Sequence, residues 1–111
     1  MEQFKEKFNE AISKWPEKID ISDGQLIGES AFFSGKLWSL HLEIENSLPE
    51  EDVWLDMMSW SIYNVVHNKA IECVKNGIYE VEPREIDINE YKKCFVENLK
   101  EADECYKDFI K

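Results

Sequence analysis

Histidine and carboxylate side chains are the residues of this sequence that could ligate a metal ion. His41 and Glu45 are four positions apart, so on a helix they share one face. A di-metal carboxylate bundle, however, needs a Glu-x-x-His motif on two helices. Trp38 stands three positions before His41, and Asn64 stands three positions before His67. Because neither residue is a carboxylate, the motif is absent, and we expect no bound metal and no cofactor.

The cysteines show no catalytic or disulfide arrangement that the sequence alone can identify. They are Cys73, Cys94 and Cys105, an odd number with no C-x-x-C motif and no zinc-ligand spacing. Each lies in or beside an apolar stripe, which is typical of a small buried hydrophobic side chain. We therefore expect reduced thiols that serve packing, as in a cytosolic protein.

A second group of polar residues follows one helical stripe. Asp56, Tyr63 and His67 are spaced by seven and four positions, and Ser59 lies in the same segment. These residues predict a buried hydrogen-bonded network rather than an acid–base site. The four glycines are scattered and do not form a phosphate-binding loop. The sequence therefore does not predict an enzyme.

Charge carries the strongest functional information. The chain has 24 acidic residues against 13 lysines and arginines, for a net charge of −11. Such a surface repels phosphate backbones and anionic membranes, so we expect no direct binding to either. Between Lys36 and Lys69 there is no lysine or arginine, yet this stretch contains three of the four tryptophans. A basic protein partner is favoured, because opposite charges accelerate encounter.

This acidic stretch predicts a partner-binding face. Carboxylates without nearby counter-charge repel one another, and a cationic partner would relieve that repulsion. Trp54 lies between Asp52 and Asp56 and is the predicted apolar anchor, because tryptophan is favoured at interface centres. The alternative is a solvated helix N-terminus that needs no partner. The predicted partner-binding residues are Glu43, Glu45, Glu50, Glu51, Asp52, Trp54 and Asp56.

Four runs of apolar residues at helical spacing predict the elements that position these groups. In the first run, Phe4, Phe8, Ile12 and Trp15 recur at spacings of four, four and three. The third run is apolar on nearly every side between positions 53 and 66. It must therefore be central to the fold or covered by a partner. The predicted helices lie near 1–15, 24–46, 50–76 and 88–110.

The segment 26–45 fits two interpretations. Apolar residues from Leu26 to Ile44 form a helical stripe, whereas residues 40–45 alternate as a half-buried strand does. In the second interpretation, residues 34–36 turn a β-hairpin. We favour the helix, because its pattern spans more residues and residues 26–33 do not alternate.

Length and composition limit the fold to one domain. The chain has 111 residues, of which 43% are hydrophobic, enough for one core. We predict an all-α, single-domain four-helix bundle over residues 1–111. The alternative is an α+β fold with a hairpin across 26–45 packed on three helices. No signal-peptide pattern or long apolar span is present, so we expect a cytoplasmic protein.

These features predict a small acidic inhibitor that binds and blocks a basic protein. A nuclease toxin fits best, because a nuclease cleft must be cationic to hold phosphate. Toxin-immunity proteins of bacteria and anti-defence proteins of phages belong to this functional class, although the chain shows no family motif. A helical module that forms a homo-oligomer is one alternative, and a ligand- or metal-binding bundle is another.

Overall fold

A computed structural model describes residues 2–22 and 36–101 of the chain. In this part of the chain, α-helices dominate and one short antiparallel sheet accompanies them. The elements in chain order are α1 (Glu2–Ile12), β1 (Ile19–Asp20), α2 (Lys36–Asn46), α3 (Val53–Lys75), β2 (Glu80–Val81), a 3-10 turn (Pro83–Glu85) and α4 (Ile88–Glu101). The predicted ends of the second helix before residue 36 and of the fourth after residue 101 lie outside the described residues.

Helix α3 is the central element of the fold. It packs against α1, α2, α4 and β2. Leu55, Met58, Ile62 and Val66 along it are almost completely buried. The sequence left open whether this apolar helix is central or covered by a partner, and the structure shows that it is central.

Both ends of α3 are capped by local backbone and side-chain hydrogen bonds. The Asp52 carboxylate accepts a hydrogen bond from the Leu55 backbone N–H at 3.2 Å, which satisfies a donor of the first turn. At the other end, Gly77 adopts a φ of 75°, and Ile78 donates its backbone N–H to the Cys73 carbonyl. This is a Schellman motif, which ends the helix at a residue free to adopt a left-handed conformation.

Aromatic rings join α1 to α4 beside the central helix. Phe4 contacts Phe95 edge to face with ring centroids 5.3 Å apart. Phe8 contacts Tyr91 at 4.8 Å. The Tyr91 hydroxyl donates to the Pro83 carbonyl at 2.6 Å, and burial raises the pKa of Tyr91. The hydrogen bond fixes the start of α4 against the preceding 3-10 turn.

The sheet fastens the segment after α1 to the segment after α3. Ile19 pairs with Val81, and Asp20 pairs with Glu80, in antiparallel register. Arg84, just after β2, donates through Nη2 to the carbonyls of Ile12 at 3.2 Å and of Trp15 at 3.0 Å. The guanidinium therefore satisfies carbonyl groups at the C-terminal end of α1, where the helix dipole favours a cation.

The described half of segment 26–45 is helical. Residues 36–46 form α2, so the strand that the alternative fold requires over 37–45 does not exist. Leu37, His41 and Ile44 are buried, and their spacing of four and three is the period of a helix. Leu42 is exposed, although the alternating pattern assigned it to the buried face. The part of the segment before residue 36 lies outside the described residues.

Candidate functional site

An aromatic cluster around His41 forms where α2 packs on α3. The imidazole ring lies 5.0 Å from Tyr63, 5.4 Å from Trp38 and 5.4 Å from Trp60, measured between ring centroids. Trp15, just beyond α1, stacks on the same ring with centroids 6.4 Å apart. Three segments of the chain thus meet at one histidine.

The His41 ring is completely buried and polar contacts orient it. Its Nδ1 lies 3.3 Å from the Ser59 hydroxyl, and its Nε2 lies 3.5 Å from a carboxylate oxygen of Glu45. The second contact is at the limit of hydrogen-bonding distance, and Nε2 makes no hydrogen bond. Burial lowers the pKa of His41, opposed by the negative charge of Asp56. The imidazole is therefore neutral at neutral pH.

Ser59, His41 and Glu45 occur in the order of a catalytic triad, but the serine is inaccessible. Ser59 is 1% exposed and His41 is 0% exposed. A nucleophilic hydroxyl must reach a substrate carbonyl, and this one faces the interior. The contacts therefore position the His41 ring. The structure gives two members of the predicted hydrogen-bonded network other partners, since Ser59 pairs with His41 and Asp56 with Glu45, while Tyr63 and His67 make a ring contact with centroids 5.6 Å apart.

Glu45 and Asp56 form a carboxyl pair across the α2–α3 contact. A hydrogen bond that the protonated Glu45 carboxyl donates to Asp56, partial burial and the charge of Asp56 together raise the pKa of Glu45 to about 6. Two adjacent carboxylates resist simultaneous ionisation, which explains the direction of this shift. Among ion pairs between described residues, none brings a lysine or arginine to either carboxyl group.

Large apolar side chains are exposed beside this carboxyl pair. Trp38 is 36% exposed, Leu42 is 38% exposed and Trp60 is 41% exposed. The two indole rings meet edge to face at 5.9 Å. Exposed tryptophans in contact with each other are characteristic of binding surfaces. We call the surface formed by Trp38, Leu42, Glu45, Asp56 and Trp60 the Trp38–Trp60 surface.

The predicted anchor, Trp54, lies elsewhere on α3. Its ring is half-buried and stacks on Phe95 of α4 at 5.3 Å with an interplanar angle of 9°. Asp52, two residues earlier, caps α3 and forms an ion pair with Lys7 of α1 at 3.2 Å. These two residues therefore contribute to packing α3 against α1 and α4.

The remaining predicted residues divide between the Trp38–Trp60 surface and open solvent. Glu45 and Asp56 belong to that surface. Glu43 is exposed on α2, and Glu50 and Glu51 are exposed in the turn before α3. The structure thus brings together two of the seven predicted residues and adds Trp38, Leu42 and Trp60, which the prediction missed.

A second acidic region has its own positive charges. A groove of about 480 Å³ lies between the end of α3, β2 and the start of α4. Lys18 bridges Glu80 and Glu82, each at 3.5 Å, and Lys69 lines the groove. The Glu82 carboxyl raises the pKa of Glu85 by hydrogen bonding and by its charge. Since lysines already neutralise part of this groove, the Trp38–Trp60 surface is the stronger candidate for a cationic partner.

No other chemistry is indicated by the described residues. No three of their His, Cys, Asp and Glu side chains come together as a group that could hold a metal ion. Cys73 and Cys94 are half-buried free thiols, and burial raises the pKa of Cys94, which disfavours the reactive thiolate. Cys105 lies outside the described residues. None of the helices in the described ranges could cross a membrane.

Comparisons with protein-family models, curated proteins and solved structures find no significant match to this chain.

Proposed function

We propose that this protein binds and blocks a basic protein, and that the target is a nuclease whose nucleic-acid site it covers. The observation that carries the proposal is the Trp38–Trp60 surface, where two exposed tryptophans adjoin a carboxyl pair with no described lysine or arginine partner. Tryptophans supply the apolar contact, and the carboxylates supply charge that opposes a cationic cleft.

In this proposal the remaining predicted acidic residues attract the basic partner before binding and do not contact it in the complex. Glu43, Glu50 and Glu51 are exposed in the same lysine- and arginine-free stretch. Exposed charges of one sign steer an oppositely charged partner over distances of about a Debye length, roughly 8–10 Å at ordinary ionic strength. With Trp54 packed against Phe95, we assign the anchoring role to Trp38 and Trp60.

We interpret the scaffold as an all-α four-helix bundle, to which the two-residue strands are a minor addition. The α2–α3 contact holds the binding groups, because the buried His41 ring contacts Trp38 of α2 and Trp60 of α3. We place the activity in the cytoplasm as part of this proposal, consistent with the free thiols of Cys73 and Cys94.

The test captures the target and then measures inhibition. The immobilised wild-type chain, Trp60→Ala and Tyr79→Ala are compared in lysate of the source cell, and retained basic proteins are purified. Tyr79 is a matched control, since it is an aromatic residue that is 50% exposed at another site. Nuclease activity of each purified protein is then assayed with and without each variant.

We expect a stoichiometric basic nuclease that is inhibited by wild type and by Tyr79→Ala, and much less by Trp60→Ala. Inhibition should weaken as salt rises from about 50 mM to about 500 mM, because salt screens the complementary charges. The proposal is overturned if no captured protein is a nuclease, or if Trp60→Ala inhibits as well as wild type.

A further inference from the structure

We propose that the Trp38–Trp60 surface binds one arginine side chain, with its guanidinium against the indole rings and hydrogen-bonded to the carboxyl groups of Glu45 and Asp56. This inference rests on the proposed function, since the arginine would be supplied by the basic partner. It names the chemical group that the surface recognises.

The geometry of the two indoles suits a planar cation. Their rings meet at an interplanar angle of 85°, so the face of one and the edge of the other form a corner. Both are more than one third exposed. A guanidinium within about 6 Å of an indole face is attracted by its quadrupole, and arginine also stacks on such a face.

The carboxyl groups lie beside this corner. Asp56 is one helical turn before Trp60 on α3, and residues at that spacing lie about 5–6 Å apart between Cβ atoms. On α2, Trp38, Leu42 and Glu45 follow one another at spacings of four and three, so they share one face of that helix, and Trp38 and Leu42 are exposed there. The acceptors and the aromatic rings therefore border the same solvent-exposed site.

Charge favours an occupant that is positive and can hydrogen-bond two carboxyl groups at once. The fork of an arginine presents several N–H donors in one plane, whereas a lysine ammonium is a compact and strongly hydrated point charge. A second copy of this chain would bring another carboxyl pair to the same place. The described residues also form no group that could hold a metal ion.

The same contacts predict that arginine binding is coupled to the protonation of Glu45. Glu45 is faced by Asp56 from α3 and by the neutral His41 from its own helix. Its pKa of about 6 means that the pair gains its second negative charge only above that pH. An arginine bound to both carboxylates favours their ionised forms, so its binding should release a proton near pH 6 and weaken at lower pH.

The experiment titrates the full-length protein with N-acetyl-arginine amide and observes the indole N–H signals by NMR. N-acetyl-lysine amide tests the ammonium group, and N-acetyl-citrulline amide tests a neutral side chain of nearly the same shape. The variants are Glu45→Gln and Asp56→Asn. Glu72→Gln is the matched control, because Glu72 is an exposed acid of α3 beyond the surface. Circular dichroism checks that each variant is folded.

We expect the arginine probe to shift the Trp38 and Trp60 signals with an affinity at least about fivefold above that of the lysine probe, because only the guanidinium can both stack and bridge. Citrulline should not bind. Glu45→Gln and Asp56→Asn should each weaken arginine binding by about tenfold, the effect of losing one charge-assisted hydrogen bond. Wild-type binding should be weaker at pH 5 than at pH 7.5, and Glu72→Gln should match wild type.

The outcomes separate this inference from the proposed function. Equal binding of arginine and citrulline, or unchanged binding to Glu45→Gln, overturns the arginine site. If the captured nuclease is still inhibited through Trp60 in that case, the proposed function survives. Arginine-specific binding without an inhibited nuclease supports the site and overturns the proposed function.

Discussion

At the residue scale, Glu45 occupies a position that is unfavourable for its charge. It lies in the last turn of α2, which contains no basic residue, and the helix dipole there disfavours an anion. It also faces Asp56 across the α2–α3 contact. An ionised Glu45 therefore destabilises the fold, as groups that serve binding rather than packing often do.

Replacement of Glu45 by glutamine should therefore stabilise the protein above pH 6. The raised pKa means that the folded state holds this proton more tightly than the unfolded state, whose value is near 4.5. Wild-type stability consequently falls as pH rises from about 4.5 to about 6. Because the side chain is partly exposed, we expect a gain of about half a kcal/mol. Thermal unfolding at pH 4.5 and pH 7.5 measures it.

The control for this prediction is Glu72→Gln, whose carboxylate is exposed and lies 4.0 Å from Lys69. It should show little change at either pH. A gain for Glu45→Gln that is equally large at pH 4.5 would mean that shape rather than charge repulsion is responsible, and would contradict the account given for Glu45.

Alanine substitutions of the two tryptophans of α3 should have opposite effects: Trp54→Ala should mainly reduce stability, and Trp60→Ala should mainly reduce binding. Trp54→Ala should cost about 2–3 kcal/mol, because its half-buried ring stacks on Phe95. Trp60→Ala should cost less, about 1 kcal/mol, because the residue is 41% exposed and its ring lies at the surface against Trp38, His41 and Tyr63. Urea unfolding measures stability, and inhibition of the captured nuclease measures binding. If Trp54→Ala reduces inhibition more than Trp60→Ala and both variants are folded, then Trp54 is the anchor, as the sequence alone predicted.

The sequence could predict the acidic stretch but not the partners of its side chains. Trp54 is two positions from Asp52 and from Asp56, and residues at that spacing on a helix point in different directions, while Asp52 is the N-cap and precedes the first helical residue. Asp52 therefore meets Lys7, Trp54 meets Phe95, and Asp56 meets Glu45. The sequence does place Trp38 off the main apolar stripe of its helix, a signal that was present but could not identify Trp60 as its neighbour.

At the element scale, Gly77 determines how the central helix ends. Its φ of 75° is strained for residues with a side chain, although a Cβ there would meet no atom within 4 Å. Gly77→Ala should therefore cost about 1 kcal/mol through backbone conformation alone. Gly77→Asn should cost less, because asparagine tolerates the left-handed region. Urea unfolding distinguishes the two, and equal stability of Gly77→Ala and wild type would contradict a requirement for glycine.

The helices were predictable because each has a repeating apolar face, whereas the sheet was not. The central helix was predicted at 50–76 and observed at Val53–Lys75. The first helix ends at Ile12 instead of residue 15. The pairing of Ile19 with Val81 joins segments that are far apart in the chain. No periodicity within a two-residue strand can identify such a partner.

At the scale of the whole molecule, the apolar surplus of α3 is used inside the chain. The homo-oligomer alternative assigned that surplus to an interface between copies. Most of its large apolar residues are instead packed against α1, α2, α4 and β2, and Trp60 is the one that the structure leaves exposed among the described residues of α3. What remains for association is the Trp38–Trp60 surface, which is both small and acidic.

We therefore expect a monomer of 13.2 kDa by light scattering at pH 7.5 and low salt. A twofold dimer through the Trp38–Trp60 surface would place the carboxyl pair of one copy near that of the other, and a net charge of −11 adds long-range repulsion. If this surface has any tendency to self-associate, salt near 1 M or a pH near 5 should reveal it, because each reduces the repulsion. A stable dimer at low salt that Trp60→Ala dissociates would favour the homo-oligomer. In that case the negative charge of the Trp38–Trp60 surface would not prevent two copies of the chain from binding each other there.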